Sequence, residues 1–364
     1  MNNDLKLIVL ESFKEVGKKI NEHLNTIRGT DTNYLIDFKE VRFNNGEGKI
    51  ELLETIRNKD VYIITDPGNY NITYKMYNFL NHKSPDDHFQ DIKRVLCAVK
   101  DNSKQISVLM PLLYASRQHR RNGRESLDCA LALQDLVSLN ISNILTFDVH
   151  DINIQNAIPK SSFESFLPIK EIIKAFLETE NIDFTNMFVI APDIGAMGRA
   201  NLFANLFSCK LGFFRKERNT SVLIDGKNPI INHQYIGPSL KGKNVIIVDD
   251  MIASGTSIIE VAEEAKHQGS DKVFLFSTFA LFTAGIEPFI NAYENKLFDS
   301  VYTTNLTYFN PKYKDLKWLR VVDCSMKIAK IIDTLNKGTS LSPLLDESDT
   351  IYKIIKEKTT IKKD

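Results

Sequence analysis

The chain has 364 residues, 43% hydrophobic and 25% charged, a composition that suits a globular protein with core enough for two domains. Lys+Arg and Asp+Glu are both 46, so no global field draws the chain to nucleic acid or to an anionic membrane, and an anionic ligand must be held by local cations and main-chain amides. The four cysteines, Cys97, Cys129, Cys209 and Cys324, are far apart without a CxxC pair, which excludes a zinc ribbon or a disulfide framework.

The opening "MNNDLKLIVL" has neither the basic region nor the long apolar core of a signal peptide. The longest apolar stretch, "VFLFSTFALFTAGI", is too short to span a bilayer, so a cytoplasmic protein is expected. Along the first half, "LKLIVL", "VYIIT", "ISVLMPLL" and "NILTFDV" read as buried strands. Between them "FKEVGKKINEHLNTI", "DDHFQDIKRVLCAV" and "ESLDCALALQDLVSL" repeat apolar residues at helical spacing. The second half repeats the scheme with strands "MFVIA", "LGFF", "NVIIV" and "KVFLFSTFAL" and helices "GRANLFANLF" and "TSIIEVAEEAKHQ".

Such alternation predicts an α/β fold of two tandem domains, each a parallel sheet flanked by helices. The expected division is 1–163 and 164–340, with the crossover at "NAIPKSSFESFLPIK" and a polar, lysine-rich tail over 341–364. The tail's charge run reads as a solvated helix face with a frayed end.

One stretch carries chemistry. In "NVIIVDDMIASGTSI" an apolar strand runs into Asp249 and Asp250, then into Ala253, Ser254, Gly255, Thr256 and Ser257, and then a helix. Ligands of parallel sheets bind beyond the strands' carboxyl ends. Small residues let main-chain N–H groups approach an anion, and a helix start adds unpaired donors. Carboxylates facing neutral hydroxyls accept their hydrogen bonds. A sugar phosphate meets both requirements, whereas the plain structural alternative is a capped strand end.

This loop resembles that of type I phosphoribosyltransferases and of ribose-phosphate diphosphokinases. The rest of the chain resembles the second family. "RFNNGEGKIELLETIRNKDVYIIT", "MPLLYASRQHRRNGRESL", "FDVHDINIQNAI", "VIAPDIGAMGRA", "FFRKERN" and "TSLSPLL" follow that family's motif order from about Arg42 to Leu345. The resemblance implies two phosphoribosyltransferase-like domains, of which only the second keeps the sugar-phosphate loop. It implies an enzyme that moves the diphosphoryl group of ATP to the anomeric hydroxyl of ribose 5-phosphate, with Mg²⁺ as cofactor.

By the same resemblance Phe43, Asn45, Glu47, Arg117 and Gln118 bind ATP, and Asp193 joins Asp249, Asp250 and the residues from Ala253 to Ser257 around ribose 5-phosphate. His150 and Asp193 hold metal, and Lys216 and Arg218, in a polar stretch read as a closing loop, act on the transferring group. Asp148 is read as a structural acceptor beside His150; Arg120, Arg121 and Arg124 are read as a solvated basic loop. A homo-oligomer, dimer or hexamer, with a site shared between subunits is implied too. The alternatives are a non-catalytic regulatory homologue and a phosphoribosyltransferase that consumes the product.

The chain departs from the common bacterial pattern. Its sugar-phosphate loop is one residue shorter, with Ala253 in that region; Ala196 replaces a glycine and His119 an aspartate. The insertion "NFLNHKSPDDHFQD" lengthens the amino-terminal half. These departures argue against the usual allosteric response to ADP and phosphate.

Overall fold

The computed structural model describes residues 4–99, 103–121, 123–181, 183–218 and 230–360. They form two compact units. The first runs to Pro168 and also includes Asn305–Tyr308 and Asp323–Asp346; the second holds Ile169–Thr304, Phe309–Val322 and the chain from Glu347. Among the described residues no helix is long and apolar enough to cross a membrane.

In the first unit β1 (Leu5–Val9) leads to α1 (Lys14–Arg28), the hairpin β2 (Phe38–Arg42) and β3 (Gly48–Leu52), and β4 (Asp60–Ile64). A second hairpin, β5 (Thr73–Met76) and β6 (Phe79–His82), precedes α2 (Pro85–Val99), β7 (Gln105–Leu109), α3 (Asp128–Ser138), β8 (Asn143–Phe147) and β9 (Ser162–Phe166). The sheet order is β1-β4-β7-β8-β9, parallel throughout. Every residue of β4 and β8 is buried, as central strands covered on both faces require.

The second unit begins with α4 (Ile169–Thr179) and β10 (Met187–Ala191), then α5 (Met197–Phe207), β11 (Lys210–Arg218), β12 (Ile230–Ile236) and β13 (Asn244–Ile252). It continues through α6 (Thr256–His267), β14 (Val273–Ala280), α7 (Glu287–Glu294), β15 (Ser300–Thr304) and β16 (Leu319–Val322). The order is β12-β11-β10-β13-β14-β15-β16, parallel except for the β11–β12 pair. Phe176 of α4 is fully buried against Phe274, Phe276 and Tyr302, with ring centres 5.1 to 5.4 Å away; such edge-to-face contacts add to area burial in fixing the helix on the sheet.

Two local expectations change. Asp249 and Asp250 do not follow a strand; they lie within β13, which runs on to Ile252. The extension is one-sided: pairing with β10 stops at Ile247, while pairing with β14 continues to Ile252. An edge freed of its neighbour tolerates carboxylates that a sheet interior would not. The second change concerns "RKER", read as a closing loop. Its backbone continues β11, with Lys216 opposite His233 and Arg218 opposite Ile230. Polar residues without apolar alternation look like a loop, yet an antiparallel pair at a sheet's edge accepts them. Residues 219–229, where the rest of that loop was expected, lie outside the described residues, as do the last four of the tail, whose preceding part forms the helix Ser348–Thr360.

At the carboxyl end of β4, Asp66 is wholly buried. It accepts hydrogen bonds from the N–H groups of Gly68 (2.8 Å) and Tyr308 (2.6 Å) and from the Thr307 hydroxyl (3.1 Å). Burial nevertheless raises its pKa to about 7, with these bonds opposing the shift. Between pH 4 and 7 the folded chain therefore holds a proton that the unfolded chain has lost, so folding stability falls as pH rises, by at most about 1.4 kcal/mol per unit. Urea unfolding of the wild type and Asp66→Asn at pH 5 and pH 7.5 should show a steeper decline in the wild type. Parallel profiles would show that Asp66 is ionised throughout.

Candidate active site

The second unit's strand order reverses between β10 and β13: β11 lies to one side and β14 to the other. Ligands of open α/β sheets bind in the crevice at such a switch point. Asp193 follows β10, and Asp249 and Asp250 lie near the end of β13. Because β13 outruns β10, its last residues border this crevice without a strand on that side.

Asp193 accepts a hydrogen bond from the Ala196 N–H at 3.1 Å, fixing the turn into α5. Asp250 is 2% exposed and Asp249 somewhat more open. Burial, the Asp250 charge and the hydrogen bond between the two carboxyls hold Asp249 well above the usual carboxylate range; Arg199 pulls the other way, and Asp193 adds to the rise. The second charge on this pair therefore costs more than the first. Arg199 was not singled out in the sequence, though a signal existed. It stands in the first turn of α5, where a cation opposes the helix dipole, so its place needs a nearby anion.

Beyond β13, the carbonyls of Ile252 and Ala253 accept from the N–H groups of Leu281 (2.8 Å) and Thr283 (2.9 Å). This ties the loop's carbonyls to the segment after β14. Gly255 has φ +87°, and no side chain caps α6 there. The first-turn amides of Thr256, Ser257 and Ile258 have no acceptor within the helix, which leaves them for an anion. Ser254 and Thr256 hydroxyls lie 3.2 Å apart at the same turn. A Cβ on Gly255 would run into the buried ring of Phe289.

In the first unit, Phe43, Asn45 and Glu47 lie in the exposed turn of the β2–β3 hairpin. Asn45 Oδ1 accepts from the Glu47 N–H at 3.2 Å, and the Phe43 N–H bonds the Glu47 carbonyl at 2.8 Å. Arg117 is exposed, whereas Gln118 braces its own loop by donating to the Ser126 carbonyl at 2.9 Å.

His150, exposed beyond β8, lies beside His119, with ring centres 5.2 Å apart. His119 Nε2 is 3.4 Å from the Asp151 carboxylate, and its Nδ1 is buried without a hydrogen-bond partner. The buried Asp148 beside them has φ 38°, a conformation that costs energy and clusters at functional sites. His119, passed over as a mere substitution in the sequence, thus belongs to this group. Among the described residues no three His, Cys, Asp or Glu side chains converge on one point as a metal cage would need. A single imidazole offers one nitrogen ligand, so a hard cation held here would take its remaining ligands as water and substrate oxygens.

Residues 5–139 match the family described as the N-terminal domain of ribose phosphate pyrophosphokinase, and residues 162–280 match the phosphoribosyl transferase domain. The ribose-phosphate pyrophosphokinase of Haemophilus ducreyi is 26% identical, over 94% of this chain and 99% of its own length. That of Chlorobaculum tepidum is 26% identical over 97% and 99%, and that of Aquifex aeolicus 27% over 94% and 99%. The crystal structure of phosphoribosylpyrophosphate synthetase from Mycobacterium smegmatis shares the fold, with a TM-score of 0.73 at 18% identity, covering 92% of this chain and all of that one.

Gly255→Ala should destabilise the chain by about 1–3 kcal/mol, because alanine meets both an unfavourable φ and Phe289. Denaturant unfolding measures this, and an unchanged midpoint would show that the turn relaxes freely. With two unlike domain matches in the right order and relatives aligned over nearly their whole length, the chain belongs to the ribose-phosphate pyrophosphokinase family.

Proposed function

We propose that this enzyme transfers the diphosphoryl group of ATP to ribose 5-phosphate, giving 5-phosphoribosyl 1-diphosphate and AMP. The observation that carries the reading is the second unit's switch point, where two carboxylate-bearing strand ends meet an uncapped helix start with a glycine in the left-handed region. The amides of Thr256 and Ser257 take the 5-phosphate; Asp250 and Asp249 accept from the ribose hydroxyls.

In the transfer the anomeric oxygen attacks the β-phosphorus. The bond from that phosphorus to the oxygen bridging the α-phosphate breaks, AMP leaves with the bridging oxygen, and the hydroxyl proton passes to solvent. Such a step needs positioning and charge neutralisation more than covalent help. Lys216 and Arg218 supply cations to the moving group. Arg117 forks onto phosphate oxygens; Gln118, Phe43, Asn45 and Glu47 take the adenosine side. Mg²⁺ would neutralise charge on the ATP phosphates, with His150 a ligand to one ion and Asp193 helping to hold a second.

Incubation with ATP, Mg²⁺ and ribose 5-phosphate should give AMP and 5-phosphoribosyl 1-diphosphate in equal amounts; absence of AMP defeats the reading. Asp250→Asn should raise KM for ribose 5-phosphate at least about tenfold while leaving that for ATP nearly unchanged, since a charged acceptor is worth about 1.5–3 kcal/mol. A wild-type KM for ribose 5-phosphate in the folded mutant removes Asp250 from the sugar site.

We also propose a homo-oligomer in which the Phe43–Glu47 turn serves a neighbour's site. A Phe43→Ala, Glu47→Ala chain and a Lys216→Ala chain, each nearly inactive, are mixed and reassembled. A two-fold shared site would then regain up to about a quarter of wild-type activity. No recovery after confirmed reassembly means that these groups act within one chain.

A further inference from the structure

The insertion "NFLNHKSPDDHFQD" has no counterpart in the motifs that carry the family resemblance. Its first residues complete the β5–β6 hairpin and its last ones open α2. Tyr77 and Asn78 turn the hairpin with φ 47° and 66°, the two positive values of a type I′ turn. This tip is tied down, because the Tyr77 N–H donates to the Asn44 carbonyl at 2.8 Å. Asn44 belongs to the Phe43–Glu47 turn. Gly46 of the same turn has φ +92°, and a Cβ there would stand 2.7 Å from Met76 Sδ. The end of one hairpin is therefore seated on the end of the other.

A second set of contacts holds the base of that turn. Arg42 donates to the Gly46 carbonyl (3.1 Å), to Asp87 (3.1 Å) and to Asp91 (2.9 Å). Its guanidinium lies 5.2 Å from the Tyr74 ring centre, within cation–π range. Lys83 pairs with Glu40 and, at 2.8 Å, with Asp91; Arg94 bonds Asp91 at 2.6 Å. The side chains of Arg42, Lys83 and Asp91 are 9%, 4% and 2% exposed. Charges this deep are tolerated only when paired, and losing one partner strands the others. Asp87, Asp91 and Lys83 all come from the insertion, Tyr74 and Met76 from the strand before its turn. An exposed turn without such a brace would sample many shapes.

We propose that the β5–β6 hairpin is a positioning element for the nucleotide-binding turn, holding it in its binding shape before ATP arrives. The inference rests on the reading of Phe43, Asn45 and Glu47 as the adenine side. Preorganisation raises affinity by removing the ordering cost from the binding step. It also sharpens selection of the base, because the polar groups of Asn45 and Glu47 discriminate only when fixed. Phe79 and Leu80, 73% and 66% exposed on the outer strand, take no part in the bracing.

Calorimetric titration of the full chain with MgATP, MgGTP and ribose 5-phosphate separates the possibilities. Tyr77→Pro removes the donated N–H and forbids the positive φ. Its ATP Kd should rise at least about tenfold and its preference for ATP over GTP should shrink, with ribose 5-phosphate Kd within about twofold. Met76→Ala, a milder change, should cost about threefold in ATP affinity, and Leu80→Ser on the same hairpin should change neither ligand. Wild-type ATP affinity in Tyr77→Pro, beside weakened binding in Phe43→Ala, overturns the proposal and leaves the adenine-side reading standing. Equal losses for ATP and ribose 5-phosphate, or an unaltered ATP-to-GTP ratio, reduce the hairpin to a general structural part and overturn it too. If Phe43→Ala binds ATP normally, the reading beneath the proposal fails, and the proposal fails with it.

Discussion

The turn from β13 into α6 follows from one constraint, that the chain passes Gly255 where no side chain fits. At Gly255 this demands a left-handed φ and the absence of a Cβ. Phe289 occupies the space so released, which makes the glycine a packing necessity. The carbonyl side of the loop is then tied to the segment after β14. β13 has to outrun β10 for the crevice to exist, and its two carboxylates can only be accommodated on that unpaired length.

Much of this was legible in the sequence because the signals are local. Runs such as "NVIIV" and "MFVIA" mark buried parallel strands, and the glycine and hydroxyl residues after Asp250 mark a turn into a helix. What escaped depends on contacts distant in sequence. Asp66 meets Thr307 across 241 residues, and nothing near either residue announces it. His119 joins His150 only when the ends of two adjacent strands meet. Arg199 had a local oddity, a cation at a helix start, but its partners lie on another strand. Polarity misled at "RKER", because an edge hairpin and a loop share that composition.

The two sheets differ at one corresponding strand end. In strand order β1-β4-β7-β8-β9 repeats β10-β13-β14-β15-β16, so β4 stands where β13 stands. Beyond β13 the first-turn amides of α6 have no side-chain cap. Beyond β4 the corresponding place is filled by the chain's own groups: Asp66 engages Gly68, Thr307 and Tyr308, while Ser12 bonds both Thr65 and the Asp66 N–H. On the proposed reading, recognition in the first unit comes from parts added to the sheet, namely the β2–β3 turn and the groups beyond β7 and β8. A turn standing off a sheet has no strand neighbours to stiffen it. The buried ion network of Arg42, Lys83 and Asp91 supplies in side chains the rigidity that the second unit obtains from its sheet.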